Sequence, residues 1–217
     1  MPRNGFKMVT FDLDGTLVDS MGDFTLVAAE VMRKYFGSSL EQGVADYKKT
    51  SGLPFHFQLE ALFPGHAALA LAEKEFEVEK LRAYAVKSYF ADVLPALRRL
   101  RQAGYLLSVS SNNHVENVLK KVAQDHQHAV YFADILGYRP GFLKGAPHFE
   151  FLQNKYELAA SQILFVGDSL HDARLAQANA VPFVARLGTF QYDDFAALAI
   201  PFHGIYDFTG LCDFLDV

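Results

Sequence analysis

The sequence predicts an α/β protein with a doubly wound, mostly parallel sheet and an inserted all-helical domain. Short, continuous apolar runs recur along the second half of the chain, and helical patterns separate them, which is typical of a parallel sheet. Between about residues 19 and 90 the apolar residues follow a helical period instead, without a convincing strand pattern. We therefore expect a core domain over residues 1–18 and 91–217 and an inserted helical domain over residues 19–90.

The predicted strands are short apolar runs, the form that strands take when helices cover both faces of a sheet. The first run is Met8–Phe11, and Gly15 ends this segment. Four further strands are predicted at Tyr105–Ser110, Val130–Ile135, Ile163–Val166 and Val181–Ala185. Pro182 favours a strand start or a sheet edge, because proline has no N–H to donate to a neighbouring strand.

Helical patterns lie between these runs and within the insert. The core helices are predicted at Pro95–Ala103, His114–Asp125, Ala146–Leu158 and Leu170–Asn179. In the insert, Ser20 and Asp23 have the spacing of a helix N-cap before one helix, and Glu73–Phe90 is predicted as a second. His126, Gln127 and His128 are interpreted as a polar loop rather than a metal site.

Composition limits the classes of partner and the cellular setting. A net charge of −5 disfavours general nucleic-acid or anionic-membrane binding, and 51% hydrophobic with 21% charged residues is typical of a folded protein. A single cysteine, Cys212, excludes an internal disulfide. No apolar run approaches the ~18–20 residues of a membrane span, and no apolar run of signal-peptide length precedes Asp12. We expect a cytoplasmic monomer or small homo-oligomer, with no nucleic-acid or membrane partner.

Two carboxylates, Asp12 and Asp14, follow the first predicted strand. Residues i and i+2 of a strand share a face, and at a strand end the backbone can aim both at a common centre. Adjacent carboxylates raise each other's pKa unless a cation lies between them, and Mg²⁺ takes oxygen ligands. The pattern predicts a divalent-cation site, although Asp and Gly15 are also ordinary turn residues.

Other polar residues follow later strands, and ligands of open parallel sheets bind beyond the carboxyl ends of strands. Ser110, Ser111 and Asn112 end the second strand, where hydroxyl and amide groups can hydrogen-bond a phosphate. The segment Ser111–Asn113 is equally explained as a cap of the next helix.

An acidic pair and a lysine complete the set of candidate site residues. Asp168 and Asp172 lie after the fourth strand, near a helix start, where an acidic residue is favourable without any metal. Lys144 lies in a loop before another helix and, taken alone, would be a solvated surface charge. Together these groups predict a Mg²⁺ and phosphate site with a carboxylate able to attack phosphorus. Their order along the chain is a carboxylate pair, a hydroxyl, a lysine and a second carboxylate pair.

Four motifs occur in this order: Asp12–Thr16, Ser111, Lys144 and Gly167–Asp172. The arrangement resembles the haloacid dehalogenase superfamily of phosphohydrolases, in the phosphoglycolate phosphatase and β-phosphoglucomutase-like subgroup with a helical cap. The resemblance runs from Val9 to about Gly188 and implies a Rossmann-like core. Gly145 stands where the family frequently has proline, and Ser110 is a one-residue alternative to Ser111.

The resemblance also implies roles for the motif residues. Asp12 would be the nucleophile that forms an aspartyl-phosphate, and Asp14 would protonate the leaving group and then activate water. The phosphate-binding residues would be Ser111, Asn112 and Lys144. Mg²⁺, the implied cofactor, would be held by Asp12, the backbone carbonyl of Asp14, Asp168 and, directly or through a neighbour, Asp172.

The resulting expectation is Mg²⁺-dependent hydrolysis of a small phosphorylated metabolite, of the phosphoglycolate, sugar phosphate or nucleotide class. Asp14 favours phosphate over halide, because a halide leaving group needs no proton. The alternatives are a phosphomutase, which returns the phosphoryl group to its substrate, and a non-catalytic protein that binds a phosphorylated ligand.

The substrate itself is less well defined by the sequence. Ser51–Pro54 breaks the helical insert and resembles the specificity loop of such caps, and His56 and Gln58 after it are predicted substrate contacts. An ordinary interhelical turn explains the same residues. For His114, His148 and His171, which lie near the motifs, we expect packing or solvated roles rather than tuning of the local charge.

Overall fold

Six parallel strands form a sheet within residues 5–124 and 129–217, the part of the chain that this computed structural model describes. They are β1 (Met8–Phe11), β2 (Leu106–His114), β3 (Asp134–Tyr138), β4 (Ile163–Gly167), β5 (Phe183–Arg186) and β6 (His203–Ile205). Their order across the sheet is β3-β2-β1-β4-β5-β6, and all neighbouring strands run parallel. The predicted α/β fold with a doubly wound parallel sheet is confirmed.

Strand β1 lies at the centre of this sheet, between β2 and β4. Its apolar side chains are completely buried, and the hydroxyl groups of Thr10 and Ser108 pair at 2.8 Å inside the sheet. The direction of the strand order reverses between β1 and β4, and such a switch point opens a cleft beyond the carboxyl ends of the strands. Asp12 and Asp168 are the first residues after these two strands.

The described residues form ten α-helices. Four lie in the insert between β1 and β2: α1 (Met21–Phe36), α2 (Leu40–Lys49), α3 (Phe55–Leu62) and α4 (Leu69–Ala85), and a fifth, α5 (Val93–Gln102), follows them before β2. The others are α6 (Val115–Gln124), α7 (Ala146–Tyr156), α8 (Leu170–Ala178), α9 (Tyr192–Ala196) and α10 (Phe208–Phe214). Apolar residues of α7 and α8 pack with β4 in one core cluster, which includes Phe149, Ala173 and Phe165.

The chain divides into two compact units. One contains the residues up to Val18 together with Tyr89–Val217, and the other contains Asp19–Ser88. The first unit holds the sheet and the second holds α1–α4. The boundaries expected from the sequence lie within two residues of this division, and their assignment as a catalytic core and a cap stays a prediction.

Several core elements differ from their predicted bounds. Strand β2 continues four residues beyond Ser110, and β3 covers Asp134–Tyr138 rather than Val130–Ile135, because Val130 is an exposed turn residue. A Cβ on Gly137 of β3 would lie 2.4 Å from Val115 Cα, so only glycine permits this approach of β3 to α6. Helix α6 begins at Val115, and the predicted polar loop, 126–128, lies outside the described residues.

The insert also differs from the prediction in detail. Ser20 precedes α1, but its side chain makes no capping hydrogen bond to that helix. The second long helix is α4, which begins four residues before Glu73 and ends five residues before Phe90. Helices α2 and α3 were not predicted, because α2 has few apolar residues and contains Gly43, whereas α3 is only eight residues long and directly follows Pro54.

Candidate active site

The turn after β1 places Asp12 at the carboxyl edge of the sheet. The Asp12 N–H donates to the Val166 carbonyl at 2.8 Å, which extends the pairing of β1 with β4 by one residue. The chain then turns at Gly15, whose φ of 79° lies in the left-handed region, and Gly15 N–H donates to the Val18 carbonyl. The Asp12 side chain is buried by this turn, whereas Asp14 is half-buried.

Lys144 joins two of the predicted carboxylates. Its ammonium nitrogen lies 3.0 Å from Asp12 Oδ1 and 2.6 Å from Asp172 Oδ1, and all three side chains are buried. The backbone N–H of Lys144 donates to Asn112 Oδ1 at 3.0 Å, which fixes the Lys144 loop to the end of β2. Taken alone in the sequence, Lys144 would be a solvated surface charge. In the structure it is a buried ion-pair partner.

Asp168 and Asp172 come from the end of β4 and the first turn of α8. Ser169 caps α8: its hydroxyl accepts from Asp172 N–H at 3.1 Å, while Asp172 Oδ2 accepts from Ser169 N–H at 3.1 Å and from Ser169 Oγ at 2.6 Å. The capping interpretation of Asp172 is thus correct, and it coexists with the ion pair to Lys144. Thr189, in the loop after β5, donates its hydroxyl to Asp168 Oδ2.

The two candidate serines near the end of β2 have different hydrogen-bond partners. Ser110 Oγ lies 2.9 Å from His148 Nδ1, whereas Ser111 Oγ accepts from Asn113 N–H at 3.0 Å. The side-chain amide nitrogen of Asn113 lies 3.5 Å from Asp14 Oδ2, so Asn113 links the end of β2 to the second aspartate after β1. Both serines are buried, and the assignment of Ser111 as the phosphate-binding serine stays a prediction.

Burial shifts the pKa values of the charged groups in this site. It raises the pKa of Asp12 well above its usual value; Lys144 opposes this shift, and the neighbouring aspartates reinforce it. Burial and the charge of Asp172 raise the pKa of Asp168 to about 7. Burial would lower the pKa of Lys144, but Asp12 and Asp172 raise it above its ordinary value, so the lysine stays charged.

This charge balance fits a divalent cation. One carboxylate oxygen from each of Asp12, Asp168 and Asp172 lies within 4.8 Å of the others. When ionised, these carboxylates carry three negative charges against the single positive charge of Lys144, in a site that is poorly solvated. The donors are all oxygen atoms, which suit a hard cation such as Mg²⁺.

A family comparison matches this chain over residues 9–186 to the model described as haloacid dehalogenase-like hydrolase. The match includes most of β1, all of β2–β5 and every motif residue from Asp12 to Asp172. The chain belongs to the haloacid dehalogenase-like hydrolase family. The superfamily that the motifs resembled is therefore confirmed.

Curated relatives of this haloacid dehalogenase-like hydrolase are similar over most of their length. The phosphoglycolate phosphatase of Vibrio parahaemolyticus is 28% identical over 198 residues, which cover 83% of this chain and 82% of the relative. That of Mannheimia succiniciproducens is 27% identical over 210 residues, which cover 87% and 88%. The predicted enzyme class, a phosphatase of this superfamily, agrees with these relatives.

Solved structures show the same fold. A haloacid dehalogenase-like family hydrolase from Streptococcus pneumoniae superposes with a TM-score of 0.81 at 18% identity, and the alignment covers 98% of this chain and 99% of that one. Among the described helices, none has the length and apolar composition needed to cross a bilayer.

Gly145 departs from the proline that is frequent after the lysine of this family. Its φ of 111° and ψ of −138° are closed to proline, whose ring holds φ near −65°. A Cβ at this position would also lie 2.9 Å from Leu175 Cδ2 of α8. In this chain the loop that carries Lys144 therefore requires glycine where it meets α7.

The insert residues His56 and Gln58 are both on α3 but differ in their surroundings. Gln58 is buried; its Oε1 accepts from the Thr50 hydroxyl at 2.8 Å, and its Nε2 donates to the Leu53 carbonyl at 2.9 Å. His56 is partly exposed, with Nδ1 3.5 Å from Glu73 Oε1. Gln58 thus stabilises the turn at Ser51–Pro54, and the predicted substrate contacts of both residues stay predictions.

Thr189, Asn113 and His148 contact predicted site residues but were not themselves assigned to the site from the sequence. Thr189 follows β5 without any recognisable motif, and no sequence signal identifies it. Asn113 was included only in a capping segment. His148 was identified by its nearness to Lys144, but the expected packing or solvated role did not include its contact with Ser110.

Proposed function

We propose that the protein is a Mg²⁺-dependent phosphatase that hydrolyses a small phosphomonoester through an aspartyl-phosphate on Asp12. The observation that carries this proposal is the buried cluster of Asp12, Asp168 and Asp172 around Lys144 at the switch point of the sheet. Such a cluster combines a carboxylate nucleophile with positive charge for the phosphoryl oxygens, which is what phosphoryl transfer needs.

Mg²⁺ would be held by Asp12, Asp168 and the backbone carbonyl of Asp14. Asp172 uses Oδ1 for Lys144 and Oδ2 for Ser169, so its proposed contribution is to hold Lys144 and to add negative charge near the cation. Bound Mg²⁺ would neutralise charge on the phosphoryl oxygens. Thr189 would orient the Asp168 carboxylate by its hydrogen bond to Oδ2.

The protein's own residues divide the reaction into two steps. Asp12 attacks phosphorus while Asp14 gives a proton to the leaving oxygen, so the P–O bond to the alcohol breaks as the aspartyl-phosphate forms. Asp14 then takes a proton from the water that attacks phosphorus, which releases phosphate and restores Asp12. Ser111, Asn112 and Lys144 bind the phosphoryl oxygens, and Lys144 also restrains Asp12 at 3.0 Å.

The substrate class is a small phosphorylated metabolite, and phosphoglycolate is the first member to test because the curated relatives are phosphoglycolate phosphatases. His56 is the proposed specificity residue of the insert, since it is partly exposed whereas Gln58 is buried in its own hydrogen bonds.

A phosphate-release screen tests the function. We expect the Mg²⁺-supplemented protein to release phosphate from phosphoglycolate, from a sugar phosphate or from a nucleotide monophosphate, and to lose this activity in EDTA. Isomerised sugar phosphate without phosphate release would identify a phosphomutase instead. No turnover of any member of the three classes would contradict the proposal.

Metal removal is expected to make stability depend on pH. Asp168, with its pKa raised to about 7, binds a proton in the folded protein that the unfolded chain releases near pH 4. In EDTA this stabilisation is present at acid pH and is lost as pH rises toward 7, so the unfolding temperature should fall between pH 5 and pH 7.5. Mg²⁺ at about 100 times its Kd should add about 2.7 kcal/mol at pH 7.5 and less at pH 5.

Thermal unfolding with and without Mg²⁺ measures this effect. Asp168→Asn is the matched variant, because it removes one titrating group and a proposed ligand together; it should remove the Asp168 contribution to the pH dependence, leave that of Asp12, and remove most of the response to Mg²⁺. An unfolding temperature that does not respond to Mg²⁺ at either pH would contradict the proposed metal site.

A further inference from the structure

His148 is completely buried in the first turn of α7, four residues after Lys144. Its Nδ1 lies 2.9 Å from the Ser110 hydroxyl at the end of β2, and its ring packs against Phe142 with centroids 4.5 Å apart. His148 therefore links the helix that follows the Lys144 loop to the strand that leads to Ser111.

This contact and a second one hold the segment Lys144–His148 against β2. At the start of the segment, Lys144 N–H donates to Asn112 Oδ1 at 3.0 Å; at its end, His148 meets Ser110. Between them lies Gly145, in a backbone conformation that few other residues adopt. Because glycine leaves the loop flexible, the two contacts with β2 fix the position of the Lys144 backbone, from which the side chain extends.

The choice of histidine at this position is not explained by packing alone. His148 Nε2 is buried and makes no hydrogen bond of normal geometry to the described residues. An unsatisfied buried polar atom costs stability, and an apolar side chain of similar size would avoid that cost. Nδ1 has a hydrogen bond of normal geometry, so the bond to Ser110 is the feature that a histidine supplies here.

The imidazole is neutral under ordinary conditions. Burial and the nearby positive charge of Lys144 lower the pKa of His148 to about 3, while the Gly137 backbone acts in the opposite direction. A neutral ring can both give and take a hydrogen bond, but at neutral pH it does not change charge. This excludes a general acid or base role that would depend on protonation of His148 near neutral pH.

We propose that His148 is a positioning residue for phosphoryl transfer: its hydrogen bond to Ser110 fixes the segment that carries Lys144 relative to β2 and the Asp12 carboxylate. This inference rests on the proposed phosphatase function. Loss of the bond displaces the Lys144 ammonium, and small displacements of groups that bind the transition state lower kcat more than they raise KM.

The test compares variants in the full-length Mg²⁺-loaded protein with the best substrate of the phosphate-release screen. His148→Leu removes the bond at similar volume, and Ser110→Ala removes it from the other side. Each should lower kcat about 10- to 100-fold, with KM changed less than about threefold. His148→Asn keeps a polar group near the Nδ1 position and should recover most of kcat. The double variant should lose little more than either single variant, because both remove the same bond.

Two controls separate positioning from general destabilisation. Phe149→Leu alters the next buried residue of α7, whose ring packs edge-on against Phe165 in the core cluster, and should lower the unfolding temperature with little change in kcat. The pH profile of kcat should keep its shape in His148→Asn. Additive losses in the double variant, or equal kcat in His148→Leu and wild type, would overturn the inference while leaving the phosphatase proposal intact. An inactive wild-type protein would overturn both.

Discussion

Asp12→Asn is expected to abolish phosphate release, with a loss of kcat greater than about 10³-fold at saturating Mg²⁺. The asparagine amide is not a nucleophile for phosphorus, and it replaces a charged metal ligand by a neutral one. The same substitution removes a carboxylate whose pKa burial raises well above its usual value. A steady-state assay of phosphate release measures the loss.

The folded state of Asp12→Asn provides the control. Removing a buried charge that faces Asp168 and Asp172 should leave the unfolding temperature in EDTA equal to or above that of the wild type. Asp213→Asn, on the exposed surface of α10, is the matched substitution and should retain full activity. Comparable turnover by Asp12→Asn and wild type would refute the covalent mechanism.

Lys144→Met is expected to lose both activity and stability. Methionine fills a similar volume but leaves Asp12 and Asp172 buried without the ammonium that lies 3.0 Å and 2.6 Å from them. Removal of one partner from a buried ion pair costs about 3–5 kcal/mol, because the remaining charge is left without compensation. Urea unfolding in EDTA at pH 7.5 measures the free energy of unfolding, and the phosphate assay should show loss of turnover.

Two further variants identify the cause of the Lys144→Met effect. Adding Asp172→Asn should restore part of the stability but none of the activity, because it removes one unpaired carboxylate without replacing the cation at the phosphoryl group. Lys155→Met removes a lysine that pairs with Asp134 at 2.8 Å on the surface, and it should change stability little. Equal stabilities of Lys144→Met and Lys155→Met would contradict the buried charge balance.

The sequence was most informative where residues follow central strands. Asp12 and Asp168 come directly after β1 and β4, which are continuous apolar runs, and the switch point of the sheet places these two ends side by side. The rule that ligands bind at the carboxyl ends of parallel strands therefore predicted, from the sequence, that these carboxylates lie together. Lys144 was assigned to the site from the order of the motifs and from the family resemblance, because the local sequence around a lysine in a polar loop does not indicate that it is buried.

Other features depend on contacts between distant segments, which local patterns do not encode. Thr189, which follows β5, donates a hydrogen bond to Asp168, which follows β4. Ser110 contacts His148, which lies 38 residues later in the chain. The edge strand β6 has three residues and begins with an exposed histidine, so it lacks the apolar run by which β1 and β4 were found. The prediction of β3 was wrong because Val130 is apolar but lies in a turn.

Acid quenching of the wild-type protein during turnover tests the role of Asp12 most directly. We expect intact-mass analysis to show a fraction of the protein heavier by one phosphoryl group, and peptide analysis to place that group on Asp12. The adduct should be absent from Asp12→Asn and from protein incubated without Mg²⁺. A protein that turns over phosphomonoesters while carrying phosphate on another residue, or on none in any quench interval, would contradict the proposed mechanism.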